Sequence, residues 1–336
     1  LALVALALAF LYNRQADLWQ LWQILQHGHG FWITMAVVVQ FGWLINLTLT
    51  YRAIYRLLGM DAPARRLLPV VATSFFANVA APSGGVSGTA LLLNDARRNA
   101  LPTARVTLAS VLFVLFDYFS FLCVLAVGLI VLLRRNNLSP IDLSAALLLL
   151  LTALGLAGVL VLGIKSARAL EQLLVFLARG VNRLLWPLLR RPYLSEARAH
   201  EFAEDAAEGL QTLRTRWQDY APPAGYALLG KLLMMAILGL MFRAFDTPVS
   251  PGTVWAGFSI GYLFTIVSPT PLGVGVVEGV LTLALNSLQV ALDSATVITL
   301  AYRGLTFWWP FAYGFGALRW LQTRWNQEDA AQRSPP

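Results

Sequence analysis

The chain has 336 residues, 58% of them hydrophobic and only 12% charged. A soluble domain carries about 25% charged residues, so this composition excludes a soluble protein of comparable size. The net charge of +8 is carried almost wholly by arginine, with Lys165 and Lys231 the two lysines. These bases sit at the ends of apolar segments, which is the positive-inside pattern of a membrane protein rather than a nucleic-acid surface.

Residues 1–12 are already apolar and read as a spanning helix rather than a signal peptide, since no basic stretch precedes them. A loop at 13–30 follows, in which His27 and His29 flank Gly28 and make a poor metal site. Further apolar segments run over 31–51, 67–81, 84–94, 105–133, 141–164, 224–245, 252–268, 272–287 and 295–322. About 20 apolar residues span the hydrocarbon of a bilayer, and most of these segments are long enough. Two pairs are not: 67–81 with 84–94, and 252–268 with 272–287. The first is broken at Ala81-Pro82-Ser83-Gly84-Gly85, the second at Ser268-Pro269-Thr270-Pro271-Leu272-Gly273. Proline removes a backbone donor and glycine loosens a helix. Non-helical backbone at membrane depth survives only when buried in protein or lining a cavity. Each pair is therefore expected to be a re-entrant or broken-helix hairpin.

Cys123 lies in an apolar run and is expected to pack as a small hydrophobe; a lone cysteine leaves no intramolecular disulfide. Between the two halves lies a polar insert, 165–222. Its basic part has leucines at helical spacing, which predicts an amphipathic helix on an anionic membrane face. Its acidic part, from Glu196 to Glu208, reads as a solvated surface.

Charge orders the segments. Arg52, Arg56, Arg65, Arg66, Arg97, Arg98, Arg105, the insert and the tail can share the cytoplasmic side if each short pair enters and leaves on one side; Arg134 and Arg135 violate the pattern. The pairs also resemble each other, since Phe75…Pro82-Ser83-Gly84 aligns with Phe264…Pro271-Leu272-Gly273. The expected fold is an all-α polytopic transmembrane helix bundle forming a single domain over 1–336. A first repeat at 31–133 and an inverted second repeat at 224–322 flank the connecting helix 141–164 and the insert. Inverted repeats are a transporter architecture.

Ionised groups inside a membrane are costly and mark candidate functional sites. Asp117 falls mid-helix, Glu278 follows Pro271, and Arg303 lies early in the last long helix; Glu278 and Arg303 become neighbours if the second hairpin packs on that helix. The helix starts after Pro82 and Pro271 offer backbone N–H groups to an anion, and Ser83, Ser87 and Thr89 add donors. The alternative is packing, because Gly84-x-x-x-Gly88 and Gly275-x-x-x-Gly279 are small-xxx-small patterns. Gly85-Val86-Ser87-Gly88 resembles the rhomboid-protease Gly-x-Ser-Gly, and Pro82-Ser83-Gly84-Gly85 resembles a lipid-phosphatase Pro-Ser-Gly-His. Neither has the membrane-embedded histidine such chemistry needs. No catalytic residue, cofactor or metal is expected.

The stretch Ser268-Pro-Thr-Pro-Leu-Gly-Val-Gly-Val-Val-Glu278-Gly, followed by Ala301-Tyr-Arg303-Gly-Leu-Thr-Phe-Trp-Trp-Pro310, resembles the C-terminal signature of the lysylphosphatidylglycerol synthase transmembrane-region family, also called flippase-like. Asn78-Val-Ala-Ala-Pro82-Ser-Gly-Gly85 with Asp117 resembles the family's first signature, although the Gly-Glu pair that many members carry there is replaced by Ser87, Gly88 and Thr89. The resemblance implies a lipid-translocating membrane region without the aminoacyl-transferase domain. The expected ligand is a membrane lipid with an anionic headgroup. Arg303, Glu278, Asp117, Asn78, Ser83, Gly84, Ser87, Thr89, Pro271, Gly273 and Gly275 are its candidate contacts. The expected location is a prokaryotic inner membrane with both termini cytoplasmic. A second reading is a lipid-binding scaffold that recruits a synthase or glycosyltransferase; the partners expected beside lipid are a second copy of the chain or a lipid-synthesising enzyme.

Overall fold

A computed structural model describes residues 24–80, 86–165, 172, 217–268, 270 and 273–333. The first apolar segment and nearly all of the 165–222 insert, with its amphipathic helix, lie outside the described residues. So do both proline breaks, except Ser268, Thr270 and Gly273.

Among the described residues the chain is all helical. In order, the helices are α1 (Gly30–Leu57), α2 (Ala64–Ala80), α3 (Val86–Arg98), α4 (Thr103–Arg134), α5 (Pro140–Lys165), α6 (Ala221–Ala244), α7 (Pro251–Val267), α8 (Val276–Ser287), α9 (Leu292–Arg303) and α10 (Trp309–Arg333). A 3₁₀ turn, Trp217–Tyr220, precedes α6, and a π-helical turn, Gly304–Trp308, joins α9 to α10. The spans at Gly30–Leu57, Thr103–Arg134, Pro140–Leu162 and Gln218–Ala244 are long and apolar enough to cross a membrane. They expose large apolar side chains such as Phe31, Ile130, Leu148 and Leu151, as a helix facing lipid does and a soluble one does not.

Antiparallel packing sets the two ends of the bundle. At one end, the last turn of α1 meets the start of α2, the end of α3, the start of α4 and the far end of α10 in a core of Tyr55, Leu58, Leu67, Leu92, Val106 and Trp325. At the other, the His29 amide donates to the Ala244 carbonyl at 2.8 Å and His29 Nε2 meets Asp246 at 2.7 Å. There Arg135 donates to Thr253 and Ser250, both at 2.8 Å, and Asn137 donates to the Ser287 carbonyl at 2.8 Å. Arg135 departs from the charge pattern because it fastens the end of α4 to the start of α7.

The two short pairs are helical hairpins. In the first, Arg66 near the start of α2 meets Asp95 near the end of α3 at 3.0 Å, while Asn78 Oδ1 accepts the Gly88 N–H at 2.7 Å beside the turn. In the second, a Cβ on Gly257 would lie 2.6 Å from Leu285 and one on Gly261 would lie 3.3 Å from Leu281, so α7 and α8 run back along each other. The first hairpin has both ends at the Tyr55–Trp325 end of the bundle and the second has both ends at the Arg135 end.

Four expectations are corrected. Cys123 is exposed on the outer face of α4 rather than packed. Residues 24–26 are helical where a loop was expected. Of the described small-xxx-small glycines only Gly88 makes a close contact: a Cβ there would lie 2.5 Å from the Asn78 amide and 2.7 Å from the Ser74 carbonyl, whereas nothing lies within 4 Å of one on Gly275 or Gly279. The last long segment, placed at 295–322, begins at Leu292 and stays helical to Arg333, with its π turn in the middle.

Candidate functional site

Two long helices, α4 and α6, and the short helix α7 carry ionisable groups to one place. Lys231 of α6 is 4% exposed and donates to Asp117 Oδ1 of α4. It also donates to the Tyr262 hydroxyl of α7, and that hydroxyl lies 3.3 Å from Asp117 Oδ2. The ammonium stands 4.1 Å from the centroid of the Tyr262 ring, close enough for a cation–π contribution. A lone buried ammonium costs several kcal/mol; here carboxylate, hydroxyl and ring face meet it together, and the unit is neutral. Its presence is what allows α6 to carry a lysine amid apolar residues.

This cluster borders a cavity of about 210 Å³ whose walls include Trp43, Asn46, Phe75, Asn78, Asp117 and Lys231. A smaller space of about 70 Å³ adjoins it, sharing Trp43, Phe75 and Tyr262 as common wall and bordered by Arg303, Thr306 and Phe307.

Arg303 is 6% exposed. Its Nε donates to Glu278 Oε1 at 2.8 Å, and its guanidinium stands 5.0 Å from the Phe307 ring centroid. The other carboxylate oxygen, Glu278 Oε2, accepts the Gly275 N–H at 2.7 Å. Glu278, at the third position of α8, thus caps the helix start through the Gly275 amide and is a counter-ion at once, favoured by the positive end of α8. The start of α8 was expected to offer its amides to an external anion; the chain's own carboxylate takes the Gly275 amide. Gly273 and Gly275 have φ of +72° and +85°, which glycine adopts without strain. A Cβ on Gly273 would also lie 2.3 Å from Val277. Their place in the motif follows from backbone shape.

The π turn begins at the residue after Arg303. Pro310 supplies no N–H to the carbonyl four residues back, and Thr306 Oγ1 bonds back to the Tyr302 carbonyl at 2.8 Å. Both favour a widened turn, a feature common at functional sites.

The structure therefore joins Glu278 to Arg303 and puts Asn78 and Asp117 on one cavity. Ser87 and Thr89 lie in the first turn of α3 and border neither cavity. Ser83, Gly84 and Pro271 lie outside the described residues. Sequence reasoning missed Lys231 and Tyr262. The signal for Lys231 was present, since it is a charge within the apolar segment 224–245, the same criterion that selected Asp117.

The family described as the lysylphosphatidylglycerol synthase TM region matches residues 1–314. The chain belongs to this family. The match takes in both hairpins, the Lys231–Asp117 cluster and the Glu278–Arg303 pair, so all of these lie in the family's membrane region. No curated protein matches the chain.

Proposed function

We propose that this member of the family is an ATP-independent lipid translocase, flippase- or scramblase-like, in which a polar headgroup crosses through the bundle while the acyl chains stay in lipid. The observation that carries this reading is the buried Lys231–Asp117–Tyr262 cluster bordering an internal cavity among apolar helices. Buried polar groups of this kind are expensive in a membrane and are retained on substrate paths. The two hairpins, open at opposite ends of the bundle, support an inverted-repeat arrangement that dips into the membrane from both faces. Lys231 is the cation offered to a headgroup phosphate in the larger cavity, with Asp117 released to a proton or to a cationic headgroup moiety. Arg303, held by Glu278, acts in the smaller space beyond the aromatic wall. The basic end of the bundle is the cytoplasmic face of a prokaryotic inner membrane.

The test is leaflet exchange of fluorescent lipids in proteoliposomes. Wild-type protein exchanges lipid faster than empty vesicles, and Lys231→Met and Arg303→Ala are slower. Wild-type exchange at the empty-vesicle rate, over several headgroups, counts heavily against transport.

The family's description as a synthase's membrane region favours one alternative, a scaffold that binds lipid and recruits a synthase. Deleting part of the 165–222 insert separates the readings: a translocase keeps partial exchange, and a scaffold loses its partner.

A further inference from the structure

A second polar cavity, of about 550 Å³, lies at the basic end of the bundle between the last turns of α1 and the start of α6. Arg52 and Arg56, one helical turn apart on α1, border it, with Asp219 and Tyr226 across from them. The Arg52 Nε is buried and has no hydrogen-bond partner. Neither arginine forms an ion pair among the described residues. Two guanidinium groups on one wall, one with an unmet buried donor, suit a phosphate, which accepts their parallel N–H groups. Leu49, Leu57 and Pro222 also border the cavity, and such apolar surface suits a glycerol backbone and the roots of acyl chains better than a free ion.

The place of this cavity gives it a purpose. Tyr226 borders both this cavity and the one holding Lys231. Both cavities follow the α1–α6 seam, where Asn46 Nδ2 donates to the Tyr226 carbonyl at 2.8 Å. From Arg52 to Asn46 the helix rises about 9 Å, and from Tyr226 to Lys231 about 7.5 Å.

We propose that Arg52 and Arg56 form a loading site for the phosphodiester of an anionic glycerophospholipid, from which the headgroup passes Tyr226 to reach Lys231. The loading role rests on the translocase reading, whereas the binding site stands apart from it.

The test is equilibrium binding to the purified full chain in uncharged detergent, which needs no transport. The probes are dihexanoylphosphatidylglycerol, dihexanoylphosphatidylcholine and glycerol 1-phosphate. The phosphatidylglycerol binds in preference to the other two. Arg52→Gln with Arg56→Gln weakens it roughly tenfold or more, Arg52→Lys with Arg56→Lys restores part of the loss, and Arg97→Gln, which removes an exposed charge outside the cavity, changes it by less than about twofold, the scale of a perturbation outside the contact. Equal affinity in the double-glutamine variant overturns the site, as does an equal loss in Arg97→Gln or equal binding of the phosphatidylcholine. Glycerol 1-phosphate binding as tightly as the lipid, with the same arginine dependence, identifies a soluble-phosphate site and overturns the lipid assignment. Binding as expected without leaflet exchange in vesicles leaves this site standing and removes the translocase.

Discussion

Replacing Asp117 with asparagine leaves the Lys231 ammonium 4% exposed and without its carboxylate. Removing one partner of a buried pair costs about 3–5 kcal/mol, whereas replacing both by apolar groups of similar volume is often neutral or stabilising. Asp117 is 21% exposed and borders a cavity, so water reaches part of the site and the lower end, about 3 kcal/mol, applies to Asp117→Asn. The double replacement Asp117→Leu with Lys231→Met is expected within about 1 kcal/mol of wild type. The coupling between the two positions is then at least about 2 kcal/mol. Reversible unfolding in mixed micelles, with increasing denaturing detergent, measures Asp117→Asn, Asp117→Leu, Lys231→Met and the double variant against wild type, the last three closing the cycle. The same double variant, folded but lacking the polar cluster, loses leaflet exchange. Single-variant costs below about 1 kcal/mol each, or costs that simply add, would refute a coupled buried pair.

Three other perturbations follow from particular contacts. Gly88→Ala drives a methyl against the Asn78 amide and the Ser74 carbonyl; overpacking of this kind costs about 1–3 kcal/mol and lowers the apparent Tm, whereas an unchanged Tm means α2 and α3 can part without loss. Arg135→Ala removes the bonds to Thr253 and Ser250, so amide exchange should quicken in the first turn of α7 and not in α2. Glu278→Gln keeps an acceptor for the Gly275 amide but discharges the partner of Arg303, while Glu278→Ala loses both. Alanine should therefore destabilise more than glutamine by about 1 kcal/mol, the usual worth of a cap, as read by micelle unfolding.

The helices were legible because apolar length is a strong signal in a chain with so little charge. The hairpins were legible because proline and glycine interrupt apolar runs too short to cross. Pairing of Glu278 with Arg303 followed from placing the second hairpin against the last helix. Lys231 was legible as a charge within an apolar segment; its pairing was not, because its partner is 114 positions away on another helix and no local spacing announces that two such charges meet. The aromatic wall of Trp43, Phe75 and Tyr262 escaped likewise, since aromatics are common in membrane helices and only tertiary packing selects these three. Cys123 was misplaced because α4 is apolar all round, so composition cannot tell its lipid face from its packed face. Gly275 and Gly279 matched a packing motif by spacing, yet one supplies a positive φ and the other faces open space. The π turn has only Pro310 as its local mark, and proline more often kinks a helix than widens it.

Translocation as proposed requires two hairpins that open to opposite membrane faces and shelter ionised groups between them. Side-specific cysteine labelling measures this most directly. In sealed, uniformly oriented vesicles and a Cys123→Ser background, Asp61→Cys and Arg97→Cys report the ends of the first hairpin, and Pro248→Cys and Ser287→Cys those of the second. An impermeant maleimide should label the first two from one face and the second two from the other. Labelling of all four from one face, or of the two ends of either hairpin from different faces, would contradict the account.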